Sequence, residues 1–229
     1  MSWAKAWLVS VSLFGMACGS SGSGGASGGA AGASSGGTGG TSIGGSGGMA
    51  GSSTGGSPSG GSAGSGGGTT NPIVEMDTSM GKMVFELDAV NMPATTANFL
   101  AYVDAGFYSG TIFHRVIPDF VIQGGGFSTG FVAKQTNAPI ALETSPNVLH
   151  DYGAISMART TDPNSATSQF FVVNAKAGSH SLDGDYAAFG HMIEGDAVLD
   201  AISAVQTQTQ GSYDDVPVTE VVVTSMTHK

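Results

Sequence analysis

Large apolar residues are nearly absent from Gly19 to Asn71, whereas from Pro72 to Lys229 they recur in short clusters separated by glycine, proline and small polar residues. Ile73 to Asp77 and Met83 to Leu87 are strand-like runs joined across Ser79-Met80-Gly81, a hairpin signal. Pro93 then stands where a first helical residue belongs. Phe99, Leu100, Val103 and Phe107 follow at helical spacing, with Gly106 placed to stop the helix after about three turns. Further strand-like runs are Thr111 to Ile117, Phe120 to Gln123, Pro139 to Leu142, Ala154 to Ala158, Gln169 to Asn174 and Ala187 to Ile193. Asp196 is suited to cap a second helix with Val198, Leu199, Ile202 and Val205 on its buried face, and Val216 to Ser225 reads as the last strand. Many short strands with two helices predict a mainly β fold, an antiparallel barrel closed at its ends by the helices.

Composition divides the chain. Gly19 to Asn71 holds no charged and no aromatic residue, so it cannot bury enough apolar surface to offset its ordering entropy, and a flexible Gly/Ser-rich linker is expected over residues 18–71. As a coil, such a stretch would span about 40 Å end to end. The folded domain is expected over 72–229. All 17 Asp and Glu residues lie after Asn71, the formal net charge is -10, and no Lys/Arg cluster occurs. Nucleic acid and anionic membrane surfaces are thereby excluded as partners, and the acidic balance reads as a solubility feature.

The first 17 residues read as a signal peptide: Lys5 supplies the positive charge and Ala6 to Phe14 an apolar core too short to span a bilayer. Gly15-Met16-Ala17 puts small residues three and one places before Cys18, the only cysteine, so no intrachain disulfide can form. A lone cysteine directly after such a core and before a Gly/Ser tract resembles a bacterial lipoprotein cleavage site, although Gly15 stands where leucine is usual. The resemblance implies that Cys18 is lipidated and that the chain is exported to the bacterial cell envelope or periplasm, with the lipid as its only membrane attachment. Ordinary secretion reads the same residues.

The segment Phe113-His114-Arg115-Val116-Ile117-Pro118-Asp119-Phe120-Val121-Ile122-Gln123-Gly124-Gly125 concentrates the chemistry. On regular strands Phe113 and Arg115 share a face, as do Val121 and Gln123. An arginine among apolar residues is costly to bury without a partner, so it is either a salt-bridged surface residue or a placed functional cation, and spacing alone leaves both open.

This segment resembles the signature of the cyclophilin family of peptidyl-prolyl isomerases, nearly residue for residue. Ile155-Ser156-Met157-Ala158-Arg159 leading to Ser168-Gln169-Phe170-Phe171-Val172, and Leu182-Asp183-Gly184 leading to Phe189-Gly190, agree in order and spacing. The resemblance covers about Ile73 to Met226, and the Met-Ala-Arg-Thr and Ala-Thr-Ser-Gln-Phe-Phe runs are more similar to the periplasmic bacterial branch than to the eukaryotic cytosolic one. It implies a closed eight-stranded barrel capped by two helices, a monomer, and an isomerase acting on proline-containing polypeptides. Arg115 matches the catalytic arginine; Gln123 would hydrogen-bond the substrate carbonyl, and Phe120 is counted with them as catalytic. Phe113, Phe120, Val121, Phe171 and Leu182 match or adjoin the proline pocket. His114 and Gln169 match lining positions, Ala158 and Arg159 the segment along which the peptide lies, and Tyr186 a position where many members have histidine. A module that binds proline peptides, or a chaperone with little turnover, is the competing reading.

Eukaryotic members carry tryptophan just before the Leu-Asp-Gly block, where this chain has Ser181. The hydroxymethyl removes an aromatic wall and an indole donor that resemble part of the cyclosporin contact. Weak cyclosporin inhibition with isomerase activity retained is therefore expected, and a titration showing inhibition as tight as for eukaryotic cyclophilins would overturn it.

Other constellations carry less. His114, His150, His180, His191 and His228 fall in no metal-ligand spacing, and no cofactor is called for. Gly124-Gly125-Gly126 precedes no Lys-Ser/Thr pair, so it is read as a tight bend where a side chain would not fit. Ser168 lacks a Gly-x-Ser-x-Gly setting for a hydrolase triad. Phe170 and Phe171, adjacent on a strand, should point one to the core and one to the pocket.

Overall fold

Ile73–Thr78 (β1) and Gly81–Leu87 (β2) pair as an antiparallel hairpin. A computed structural model describes residues 71–229; the expected signal peptide, Cys18 and all of the linker but Asn71 lie outside the described residues. Asn71 itself donates from Nδ2 to Glu86 Oε1 at 2.9 Å.

Helix α1 (Pro93–Asp104) follows, with proline in its first turn as its sequence predicts. Met92 offers no side chain to cap it. Instead the Glu143 carboxylate, from a distant loop, accepts the Ala94 and Thr95 amides at 3.3 and 2.9 Å, satisfying donors that a helix start leaves open. At the other end Gly106 takes φ +65°, and its amide returns to Val103.

The remaining strands are β3 (Thr111–Ile117), β4 (Val121–Ser128), β5 (Val132–Ala133), β6 (Ala154–Met157), β7 (Phe170–Val173), β8 (Ala188–Glu194), β9 (Thr207–Gln210), β10 (Tyr213–Pro217) and β11 (Val221–His228), with α2 (Asp196–Ser203) between β8 and β9. The order β3-β11-β1-β2-β8-β6-β7-β4 closes because β4 also pairs β3, giving an eight-stranded antiparallel barrel with two helices; β5 extends from β4, and β9 and β10 form a separate ribbon. Closure leaves no free sheet edge among those eight strands.

One apolar cluster fills the barrel and covers the helices. Phe99 of α1 lies 5.0 Å from Phe189 and edge-on to Phe170 at 5.7 Å, and Leu199 and Ile202 of α2 join the same core. Tyr108, fully buried, keeps its hydroxyl satisfied by donating to the Ser168 carbonyl at 2.8 Å.

Three expectations are corrected. Pro139 to Leu142 is no strand: it makes one bridge, Ile140 to Ala166, and proline cannot donate to a longer ladder. Val216 to Ser225 is split, Val216 and Pro217 closing β10 and Val221 opening β11. Asp196 is not the cap of α2 but its first residue. The cap is Gly195 at φ +117°, where an added Cβ would lie 2.8 Å from the Lys82 carbonyl and from Met83 Cα. Only glycine fits there, and Asp196 places its charge in the first turn, which suits the helix dipole.

Candidate active site

A bulge in β3 sets the site. Arg115 pairs with Gln123 and Phe113 with Gly124, so two steps along β3 oppose one along β4. The strand's alternation therefore slips: Phe113 and Val116 enter the barrel core while Arg115 does not join it. The expectation that Phe113 and Arg115 share a face fails for this reason. Phe113 is fully buried, edge-on to Phe170 at 6.0 Å, and belongs to the core and not to the apolar cluster outside it.

That second cluster holds Val121, Ala154, Ala158, Phe171, Val173, Ala175, Leu182 and Tyr186, with Phe120 at its half-exposed edge. Phe170 and Val172 point into the barrel while Phe171 and Val173 belong to the outer cluster, as alternation on β7 dictates. Strand register then aligns three side chains across neighbouring strands: Arg115 faces Gln123, and Gln123 faces Phe171. At ordinary strand spacing Arg115 and Phe171 start about 10 Å apart.

Gln123 is buried and donates from Nε2 to Gln169 Oε1 at 3.0 Å. The glycines of β4 make room for this. A Cβ on Gly126 would sit 2.6 Å from the Gln169 side chain; Gly125, at φ +81°, would press one onto the Ser168 carbonyl and Phe170 at 2.9 Å. The Ser168 hydroxyl is spent on the Gly125 carbonyl at 2.8 Å, inside the protein.

Phe120 is presented by a turn in which Asp119 takes φ +56°. Asn174 clamps that turn, its Oδ1 accepting the Phe120 amide at 2.6 Å and its Nδ2 donating to the Ile117 carbonyl at 3.0 Å. Phe171 is backed by His150, whose ring stacks on it at 5.8 Å and 14°. His150 Nδ1 lies 2.7 Å from Asp183 Oδ1 and Nε2 3.0 Å from Ser156 Oγ. A carboxylate can only accept, so Nδ1 carries the proton and Nε2 accepts from the serine. Burial pushes His150 below its ordinary pKa against the pull of Asp183. This Asp-His-Ser chain braces the floor of the cluster; Ser156 is fully buried and meets no substrate.

Arg159 turns back on the protein. Its Nε donates to the Asp185 carbonyl at 2.9 Å, its Nη1 to that of Thr160 at 2.9 Å, and its guanidinium covers the Tyr186 ring at 4.6 Å. Tyr186 in turn stands edge-on to Phe171 at 5.8 Å. Leu182 is held in a single 3-10 turn, His180–Leu182, with Ser181 exposed beside it.

Arg115 is the electrostatic centre. Its side chain is 13% exposed, and Nε lies 3.7 Å from Asp215 Oδ2. Burial pushes its pKa down, while Asp215, Asp214 and Tyr186 pull it back. Nη1 is buried and has no hydrogen-bond partner among the described residues. A buried donor without a partner costs about 1–3 kcal/mol, so this group is set to receive one. His114, next along the strand, packs on Phe127 at 4.9 Å instead of lining the Gln123 row; burial, and then the charge of Arg115, lower its pKa to about 3.

Sequence reasoning missed Asp214, Asp215, His150 and Asn174. No local pattern signals them, because each meets Arg115, the Phe120 turn or Phe171 across at least 21 residues of chain and through side chains whose direction the strand register decides.

Residues 73–228 match the family model for cyclophilin type peptidyl-prolyl cis-trans isomerase/CLD. The chain is 48% identical over 159 residues to peptidyl-prolyl cis-trans isomerase cyp18 of Streptomyces antibioticus, covering 66% of this chain and 95% of that protein. It is 45% identical over 160 residues to peptidyl-prolyl cis-trans isomerase A of Dickeya dadantii, covering 69% and 84%. Among solved structures, a cyclophilin type isomerase of Cryptosporidium parvum in the presence of the dipeptide Ala-Pro superposes with a TM-score of 0.59 at 29% identity, covering 68% of this chain and 97% of that one. The chain thus belongs to the cyclophilin-type peptidyl-prolyl cis-trans isomerases, enzymes that rotate the peptide bond before proline.

Proposed function

We propose that Arg115 accelerates this rotation by donating a hydrogen bond to the prolyl nitrogen in the twisted amide, while the apolar cluster around Phe171 receives the proline ring. The bond resists rotation because nitrogen shares its lone pair with the carbonyl; a plain amide barrier is about 18–20 kcal/mol. In the twisted state that lone pair returns to nitrogen and becomes basic. A fixed donor then binds the twisted state better than the planar one, and only such a difference raises the rate. No nucleophile, metal or general base is needed.

The observation that carries this reading is the buried, unpartnered Nη1 of Arg115, on a side chain aligned by register with Gln123 and Phe171. A prolyl residue over Phe171 would bring its preceding amide toward the arginine, with Gln123 between them to bind the carbonyl side. Val121, Leu182, Tyr186 and Phe120 would enclose the ring, and Ala158, Arg159 and Gln169 would flank the peptide. Seating of a proline peptide is supported by the relative crystallised in the presence of Ala-Pro. The test is a proline-tetrapeptide isomerisation assay on the wild type and Arg115→Ala. Turnover that survives the substitution unchanged refutes the mechanism.

The substrates are exported polypeptides met in the bacterial envelope. This part rests on the signal-like residues 1–17, the following Cys18 and the Gly/Ser-rich tract. Mass spectrometry of the chain purified from a bacterial host is expected to find Cys18 as a lipidated N-terminus. An unmodified Cys18 in wholly soluble protein would count against it.

A further inference from the structure

Arg115 belongs to β3, yet the carboxylates beside it come from the β9–β10 ribbon, 100 residues further along the chain. The ribbon was not legible in the sequence, and the family signature does not include it. Three features show how it is docked. Tyr213 packs its ring against Phe131 at 5.0 Å and Phe127 at 5.6 Å, the latter also edge-on to His114. Val216 and Pro217 are buried. Between these anchors the pairing slips, Tyr213 opposing Gln210 and Val216 opposing Gln208, so Asp214 and Asp215 occupy an irregular bend.

Within that bend Asp214 is held by Thr209, whose hydroxyl donates to Oδ1 at 2.8 Å. Asp215 takes φ +61°. Among the described residues only three non-glycines have left-handed backbone, and each borders this site: Asp119 carries the turn of Phe120, Phe131 packs with Tyr213, and Asp215 faces Arg115. Left-handed backbone is unfavourable for a non-glycine residue and concentrates where function holds it.

We propose that Asp215 is a positioning residue: its carboxylate, held in the ribbon's bend, fixes the Nε edge of the Arg115 guanidinium so that Nη1 stays aimed at the substrate amide. This rests on the reading of Arg115 as the donor. At 3.7 Å the contact is one of charge and not a hydrogen bond, so it orients the group without occupying its donors. A guanidinium 13% exposed requires a counter-charge, and placing that charge on the Nε edge leaves the far end free for the twisted nitrogen. Because the guanidinium is planar, holding one edge fixes the direction of the other.

Asp215→Asn tests this, since asparagine keeps the shape and tolerates the left-handed backbone while removing the charge. On the full chain kcat for a proline tetrapeptide is expected to fall about five- to tenfold, with KM and the thermal unfolding midpoint close to wild type. In an Arg115→Ala background the same substitution should cause no further loss. A wild-type kcat for Asp215→Asn beside an inactive Arg115→Ala overturns the positioning role and leaves the donor intact. An equal loss in the Arg115→Ala background also overturns it, because the effect would then be structural. An active Arg115→Ala would instead bring down the mechanism on which the inference depends.

Discussion

Arg115→Ala is expected to lower kcat/KM for a proline tetrapeptide about 10²–10³-fold while leaving the fold in place. The magnitude follows from the role: removal of one pre-aimed donor to a charge or lone pair that develops only in the transition state costs about that much, each tenfold being 1.36 kcal/mol. The loss should fall on kcat, since a planar ground-state amide gives the donor little to bind. Arg115→Lys should recover only a small part, because an ammonium on a flexible stem lacks the planar group that Asp215 can hold by one edge. Stability should change little or rise. The substitution removes a buried cation whose Nη1 is unpartnered, although it also leaves Asp215 without its partner. Circular dichroism and a melting curve alongside the assay separate a lost donor from a lost fold; an inactive variant that is also unfolded would be answered by Arg115→Lys. Unchanged turnover in a folded Arg115→Ala is the result that defeats the mechanism.

The second large effect is on stability. The domain should lose about 2 kcal/mol between pH 6.5 and about pH 4.5 through His114 alone. The folded protein holds this imidazole neutral down to about pH 3, because it is buried and lies beside Arg115, whereas in the unfolded chain it takes a proton near 6.5. Between those values the unfolded state binds one more proton, so stability falls as pH drops, at 1.36 kcal/mol for each pH unit. His150, also kept neutral by burial, adds to the fall in the same direction. Asp88 and Asp183, whose folded values are depressed, add their loss only at lower pH, as it falls through the carboxylate range. Urea midpoints at both pH values measure the slope. His114→Phe, which keeps a ring against Phe127 and removes the buried Nδ1 that has no partner, should flatten it. Retention of the full slope in that variant, or His114 ring resonances that titrate near pH 6 in the folded wild type, would contradict the account.

Much of the barrel was readable because its strands obey a local rule. Ile73 to Asp77, Met83 to Leu87 and Thr111 to Ile117 are β-branched or aromatic runs between turn residues, and all appear as strands nearly where expected. Pro93 and Gly106 bracket the first helix for reasons that act over a few residues. Phe170 and Phe171 divide between core and outer cluster because alternation is a property of the backbone itself. The failures have a different cause. Thr207 to Gln210 carries no apolar residue, so nothing in it announces a strand; it forms one because β10 lies beside it. Pro139 to Leu142 has the composition of a strand but no neighbour to pair with beyond one bridge.

The candidate site divides the same way. Which residues to propose for the chemistry was a matter of residue type and order: Arg115, Gln123 and Phe171 stand in motif blocks that resemble those of the family. How they face one another was not. A one-residue bulge in β3 sends Phe113 inward and turns Arg115 out, reversing the simple alternation expected for that pair. Alternation is local and can be counted along the chain, but a bulge is fixed by the partner strand. The carboxylates at Arg115, the imidazole under Phe171 and the carboxylate that caps α1 likewise arrive from segments remote in sequence. The sequence by itself determined the barrel's class and its helices, because these follow from short-range preference and composition, and its motif blocks pointed to Arg115 through their family resemblance. Only the tertiary structure decided what surrounds that arginine, because burial, charge and register there are set by contacts between distant strands.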